Sequence, residues 1–147
     1  MKIRILLLLL MGTIISFGTQ AQEVYTKKGV AVDGYDLLSY FEGKPTEGKE
    51  QFSHTVAEVR YLFSSAAHRD AFIKEPQKYL PQYGGWCAYA MGESGDLVKI
   101  NPERYKIIAG KLYLFYDFWG TNTLSLWNED EGKLLPAADA NWARKKN

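Results

Sequence analysis

The chain predicts a small single-domain α+β fold of short antiparallel strand pairs and short helices, and three observations carry that prediction. Phe52, His54 and Val56 alternate with polar neighbours, and Val59, Tyr61 and Phe63 do the same after a break at Ala57-Glu58, the period-two pattern of a hairpin. Tyr105 to Ile108 and Leu112 to Tyr116, joined by Ala109-Gly110-Lys111, repeat the pattern downstream. Between the two pairs, Ser64 or Ser65 caps a helix whose Ala67, Ala71 and Phe72 share one side until Pro76 stops it.

The segment before the fold is a secretory leader. Lys2 and Arg4 precede an apolar run from Ile5 to Met11 that continues through Ile14 and Ile15, and Thr19-Gln20-Ala21 offers small residues where signal peptidase cuts. The run falls short of the roughly 20 apolar residues that cross a hydrocarbon core. Cleavage is expected after Ala21, which divides the chain into a signal peptide (1–21), a short linker (22–29), one domain (30–142) and a basic tail (143–147). The expected location is periplasmic or secreted, with no stable membrane anchor after cleavage.

Composition narrows the function classes. Without the leader, 16 basic residues face 17 acidic ones, so the mature net charge is about −1 and nothing steers nucleic acid. Arg144-Lys145-Lys146 reads as a frayed, solvated tail. A single cysteine excludes an internal disulfide, so stability must come from a core, and ten Tyr, seven Phe and four Trp supply it.

Taken in order, Gly29 to Val32 predicts a short first strand, and Gly34 turns the chain into a helix over Tyr35 to Phe41, with Asp36 in its first turn where the helix dipole favours a carboxylate. Lys44 to Glu50 reads as a loop. Pro76 to Leu80 is a short turn, and Pro81-Gln82-Tyr83-Gly84-Gly85 follows, its paired glycines allowing close backbone approach. Asp117 to Trp127 is expected to be helical, and the remainder to Trp142 mixed helix and coil.

Gly34-Tyr35-Asp36, Phe63-Ser64-Ser65, Phe72, Pro76, Tyr79 and Pro81 to Ala90, followed by Asn101-Pro102-Glu103, Gly110 to Leu114 and Ala138 to Trp142, together resemble the exported branch of the YHS-domain family. The resemblance covers nearly all of the chain from Val30. It implies a small α+β domain and, for the wider family, transition-metal binding. The metal-binding members carry cysteines where this chain has Ser39 and Ser64, and His68 stands at a third matched position. Serine hydroxyls are poor ligands for soft metals, so the family's site does not carry over as such.

Three functional readings remain open on the residues. In the first, Tyr35, Asp36, Tyr83, Gly84, Gly85, Trp86 and Cys87 line a pocket that binds a small molecule or a protein partner, as aromatic walls with a few polar groups do. The alternative for these residues is that Asp36 caps its helix and the tyrosines anchor loops. The second is a soft-metal binder that holds copper or zinc through Cys87 with His68 or His54. The third is a thiol-dependent redox enzyme using Cys87. Against both, Cys87 stands among Trp86, Ala88, Tyr89 and Ala90, neighbours that favour a buried, packing thiol. Met91 reads as a core filler. No nucleophile elbow, zinc-protease pair, phosphate loop or Cys-x-x-Cys motif occurs, so an enzyme is the least supported class.

Overall fold

The computed structural model describes residues 23–146. The leader, its cleavage after Ala21 and a mature N-terminus at Gln22 lie outside the described residues. The fold is a small mixed α+β domain. Its main sheet holds β1 (Thr26–Lys27), β2 (Val30–Ala31), β3 (Lys49–Val56) and β4 (Val59–Phe63) in the order β1-β2-β4-β3. Both hairpins in it, β1/β2 and β3/β4, are antiparallel, while β2 runs parallel to β4. The linker expected over 22–29 is therefore partly strand, because β1 finds backbone partners on β2.

Helix α1 (Leu37–Phe41) leads from β2 to β3, and α2 (Ala66–Lys74) follows β4, with the Ser65 hydroxyl accepting from the His68 amide at 3.1 Å as its cap. Next come α3 (Pro76–Tyr79), a tight 3-10 turn over Gln82–Gly85, and α4 (Ala88–Glu93). The second hairpin pairs β5 (Asn101–Ile108) with β6 (Lys111–Phe115), as the alternation predicts. Beyond it, the helix expected over Asp117 to Trp127 is replaced by a tight hairpin of β7 (Asp117–Phe118) and β8 (Thr121–Asn122), which leads into the shorter α5 (Thr123–Glu129). Asn122 starts that helix, its side-chain oxygen accepting from the Leu124 amide at 3.1 Å.

The C-terminal stretch is also corrected. It forms one helix, α6 (Glu131–Lys145), with Pro136 inside it. Leu134, Ala138 and Trp142 recur every fourth residue on its buried face, and that packing outweighs the amide that Pro136 lacks. Gly92 lets α4 come close to α6: a Cβ there would lie 2.7 Å from the Leu134 carbonyl oxygen. Arg144 and Lys145 extend the helix rather than a frayed tail, and Lys146 reaches back over the Trp142 ring.

The strand β6 explains where the interior lies, because both of its faces are buried. Leu112 and Leu114 join Phe63, Phe72, Tyr40 and Cys87 in one core, while Tyr113 and Phe115 join Met91, Trp127, Ala138 and Trp142 in a second. Phe72 stacks between Tyr61 and Phe63, each ring centre 5.1 Å away. Tyr79 packs at the edge of the first core against Phe41. The second core is closed by Glu131, which accepts from the Trp127 indole at 2.8 Å and from Lys106.

Candidate functional site

Asp36 is fully buried and gathers three of the residues singled out from the sequence. It is the cap of α1 rather than a residue of its first turn. Its Oδ1 accepts from the Leu38 amide at 2.9 Å. Its Oδ2 accepts from the Ser64 amide at 2.9 Å, from the Ser64 hydroxyl at 2.6 Å and from His68 Nδ1 at 2.6 Å. Ser39 closes the node from below, donating its hydroxyl to the Asp36 carbonyl at 2.6 Å and accepting from the Thr46 amide at 2.9 Å. Ser64 and His68 thus converge on one carboxylate, and Ser39 holds the backbone of the same residue.

The far nitrogen of His68 points outward, with Nε2 3.1 Å from Glu42 Oε1. A carboxylate at each ring nitrogen is satisfied only by the doubly protonated ring, which donates from both. Burial alone lowers the His68 pKa, but the hydrogen bond and charge of Asp36, reinforced by Glu42, outweigh it and raise the value above 6.5. A ring that donates from both nitrogens has no lone pair for a metal.

The other candidate ligands lie elsewhere. His54 sits half-buried on β3 with its ring against Phe72 at 6.3 Å. Cys87 has no exposed surface; its sulfur accepts from the Tyr116 amide at 3.4 Å and lies 3.5 Å from the Thr123 hydroxyl. That hydroxyl already donates to the Tyr116 carbonyl at 2.8 Å, so the thiol is the donor in the Cys87–Thr123 contact. His54, His68 and Cys87 therefore do not assemble into a ligand set, and among the described residues no group of three His, Cys, Asp or Glu side chains is arranged to hold a metal. A redox role meets the same obstacle, since reactive thiols need access and a stabilised thiolate.

The paired glycines do permit close backbone approach, but what approaches is the chain itself. The Tyr25 amide donates to the Gly84 carbonyl at 2.9 Å, and a Cβ on Gly84 would lie 2.2 Å from the Glu23 carbonyl oxygen. Trp86 is tied to the same segment, its indole donating to the Glu23 carbonyl at 3.3 Å and its ring edge-on to Tyr25. Gly85 is buried beside Pro81 and Val32. Tyr83 turns the other way and donates to Asp139 of α6 at 2.8 Å; burial first, then this carboxylate, holds its phenol well above the ordinary range. Tyr35 is half-buried, bridging to Glu47. Of the expected ligand-binding set, Asp36 and Cys87 are interior groups committed to the fold.

Two open cavities flank the turn that holds these glycines. Gln77, Leu80 and Pro81 border both and form the ridge between them. On one side, about 310 Å³ is walled by Tyr83, Asp139, Trp142 and Lys146 and is largely polar. On the other, about 240 Å³ opens between the turn and the main sheet, bounded by Ala31, Val32, Val56, Val59, Tyr61 and the backbone of Gly84. This second cleft is predominantly apolar, and Val56 at its rim is 46% exposed. In the sequence Val32 reads as part of a first strand and Val56 and Val59 as hairpin residues; the signal pointing to a cleft is an apolar side chain, Val56, on the strand that lies at the sheet edge. In comparisons with known proteins, no family model, no curated protein and no solved structure matches the chain.

Proposed function

We propose that this protein is an exported, non-catalytic binding module of the YHS-like kind that takes a small, mainly apolar molecule in the cleft between β2, β4 and the Leu80–Pro81 ridge. The observation that carries the reading is the cleft's lining. Ala31, Val32, Val56 and Val59 offer an apolar wall, while Tyr61 and Gln77 are the lining residues that carry polar groups able to orient a ligand. Export follows from the leader, and no helix among the described residues is long and apolar enough to cross a membrane. The glycine-rich turn contributes by shape: held down on Glu23 to Tyr25, it fixes Pro81 and Gly84 as a rigid wall rather than as the contact surface itself.

The test is binding of neutral probes, 2-naphthol and indole, by calorimetry. Val56→Asp places a charge at the rim of the cleft, whereas Ile73→Asp does so on α2 at a site outside it that is exposed to the same degree, 47% against 46%. Val56→Asp should weaken binding several-fold and Ile73→Asp should leave it unchanged. Equal effects of the two would remove the cleft from the account.

A further inference from the structure

The hairpin of β7 and β8 turns on Trp119-Gly120, with φ of 51° and 79°. Left-handed backbone at both positions is the geometry for which asparagine, aspartate and glycine are the undemanding choices, and a large aromatic residue at the first of them is strained. The Trp119 ring also returns no burial to the fold, being 85% exposed. Its ring neighbours, Phe118 at 6.1 Å and Tyr116 at 6.4 Å between centres, leave most of it in solvent, so a side chain costly in backbone and in hydration is free to make a contact outside the molecule.

What surrounds the ring says what that contact is. The Lys99 ammonium lies 4.5 Å from the Phe118 ring centre and 4.7 Å from that of Trp119, so it props the tip between cation and aromatic neighbour. Lys27 lines the same recess as Lys99 and Phe118, and Lys28 follows it on the β1–β2 turn. Among the described residues none of these three lysines forms an ion pair. Of the nearby acids, Asp117 is paired with Arg104, while Asp33 lines the same recess and accepts from the neutral Tyr25 hydroxyl at 3.0 Å, so its charge offsets one of the three lysines. The result is one protruding aromatic tip beside a recess where positive charge exceeds negative, on a chain whose mature net charge is slightly negative.

We infer that this tip docks the protein on an anionic lipid surface, with Trp119 entering the headgroup region and Lys99, Lys27 and Lys28 meeting the phosphates. Tryptophan settles at the membrane–water interface because one end of its ring system is apolar and the other donates a hydrogen bond. Each lysine near an anionic bilayer adds an attraction that salt screens. A protein partner fits less well. The aromatic surface at the tip is Trp119 with the half-buried Phe118 and Tyr116, while the other large exposed apolar side chains, Val56, Ile73, Ile107 and Leu126, stand on four other elements, β3, α2, β5 and α5. Stable interfaces need about 800 Å² per partner. This docking surface is independent of the apolar cleft.

The experiment is co-sedimentation of the chain with vesicles of phosphatidylglycerol mixed into phosphatidylcholine, against phosphatidylcholine alone, at low and high salt. Wild type and variants are compared as the same chain, so the leader contributes equally. Binding should require phosphatidylglycerol and fall with salt. Lys99→Gln should weaken it about five-fold, and Trp119→Ala about ten-fold or more, with both variants melting like wild type. Absence of binding, equal binding to the two lipids, or variants that bind like wild type would each overturn the inference. So would a change in self-association by Trp119→Ala in sedimentation equilibrium with vesicle binding intact, which would assign the tip to a second copy of the chain.

Discussion

His68 Nδ1 lies 2.6 Å from the buried Oδ2 of Asp36, a contact across 32 residues of sequence that joins the start of α2 to the start of α1. It makes the fold sensitive to pH in a defined direction. The His68 pKa is raised in the folded protein from its ordinary 6.5. The folded state therefore holds this proton more tightly than the unfolded chain does, and the stabilisation is fully present below pH 6.5 and lost as pH climbs through the raised value. The melting temperature should decline over that window, and His68→Gln should flatten the decline. Parallel profiles for wild type and variant would show that the pair does not control it.

Phe72 packs against Tyr61, Phe63 and His54 with almost no surface left to solvent. Phe72→Ala should cost about 3 to 5 kcal/mol, measured by denaturant unfolding. A loss under about 1 kcal/mol would mean that the neighbouring rings collapse into the space.

Gly84 and Gly110 both have positive φ, 62° and 75°, but differ in their surroundings. Alanine at Gly110 meets nothing within 4 Å and incurs only the left-handed backbone cost, about 1 to 2 kcal/mol. Alanine at Gly84 meets the Glu23 carbonyl as well, a backbone group with no side-chain freedom to yield. Gly84→Ala should therefore be clearly the more destabilising and should free the Glu23–Tyr25 segment to rapid hydrogen exchange. Equal losses would show that this segment gives way without cost.

Cys87 is sealed between the Tyr116 amide and Thr123. Its thiol should resist iodoacetamide in the native protein and react at once on unfolding. Fast labelling of the native state would reopen a redox or metal role for the residue.

The sequence showed the parts of this fold that depend on local pattern. Val59, Tyr61 and Phe63 alternate because they share the face of β4 that enters the first core, and Ser65 sits where a helix needs an acceptor. The parts it hid are those in which long-range packing overrides a local rule. Trp119 occupies a turn position usually marked by asparagine or glycine, so only Gly120 marks the β7–β8 hairpin in the sequence. The stretch to Trp142 reads as mixed helix and coil, and the burial of Leu134, Ala138 and Trp142 in the second core carries α6 through Pro136. The site was obscured for the same reason. Asp36, Ser64 and His68 were each visible, but their convergence requires the starts of α1 and α2 to meet across 28 to 32 residues of chain. The glycines seemed to await a ligand because nothing local shows that Glu23 fills the space above them.

The apolar cleft is the central claim, and methyl NMR addresses it residue by residue. With Val, Leu and Ile methyls labelled, addition of 2-naphthol, indole or 1-octanol should shift the resonances of Val32, Val56, Val59 and Leu80 in a saturable way, while those of Leu124 and Leu126 on α5 stay in place. Cleft methyls that stay unperturbed by all three probes, or shifts spread evenly over the molecule, would contradict the account.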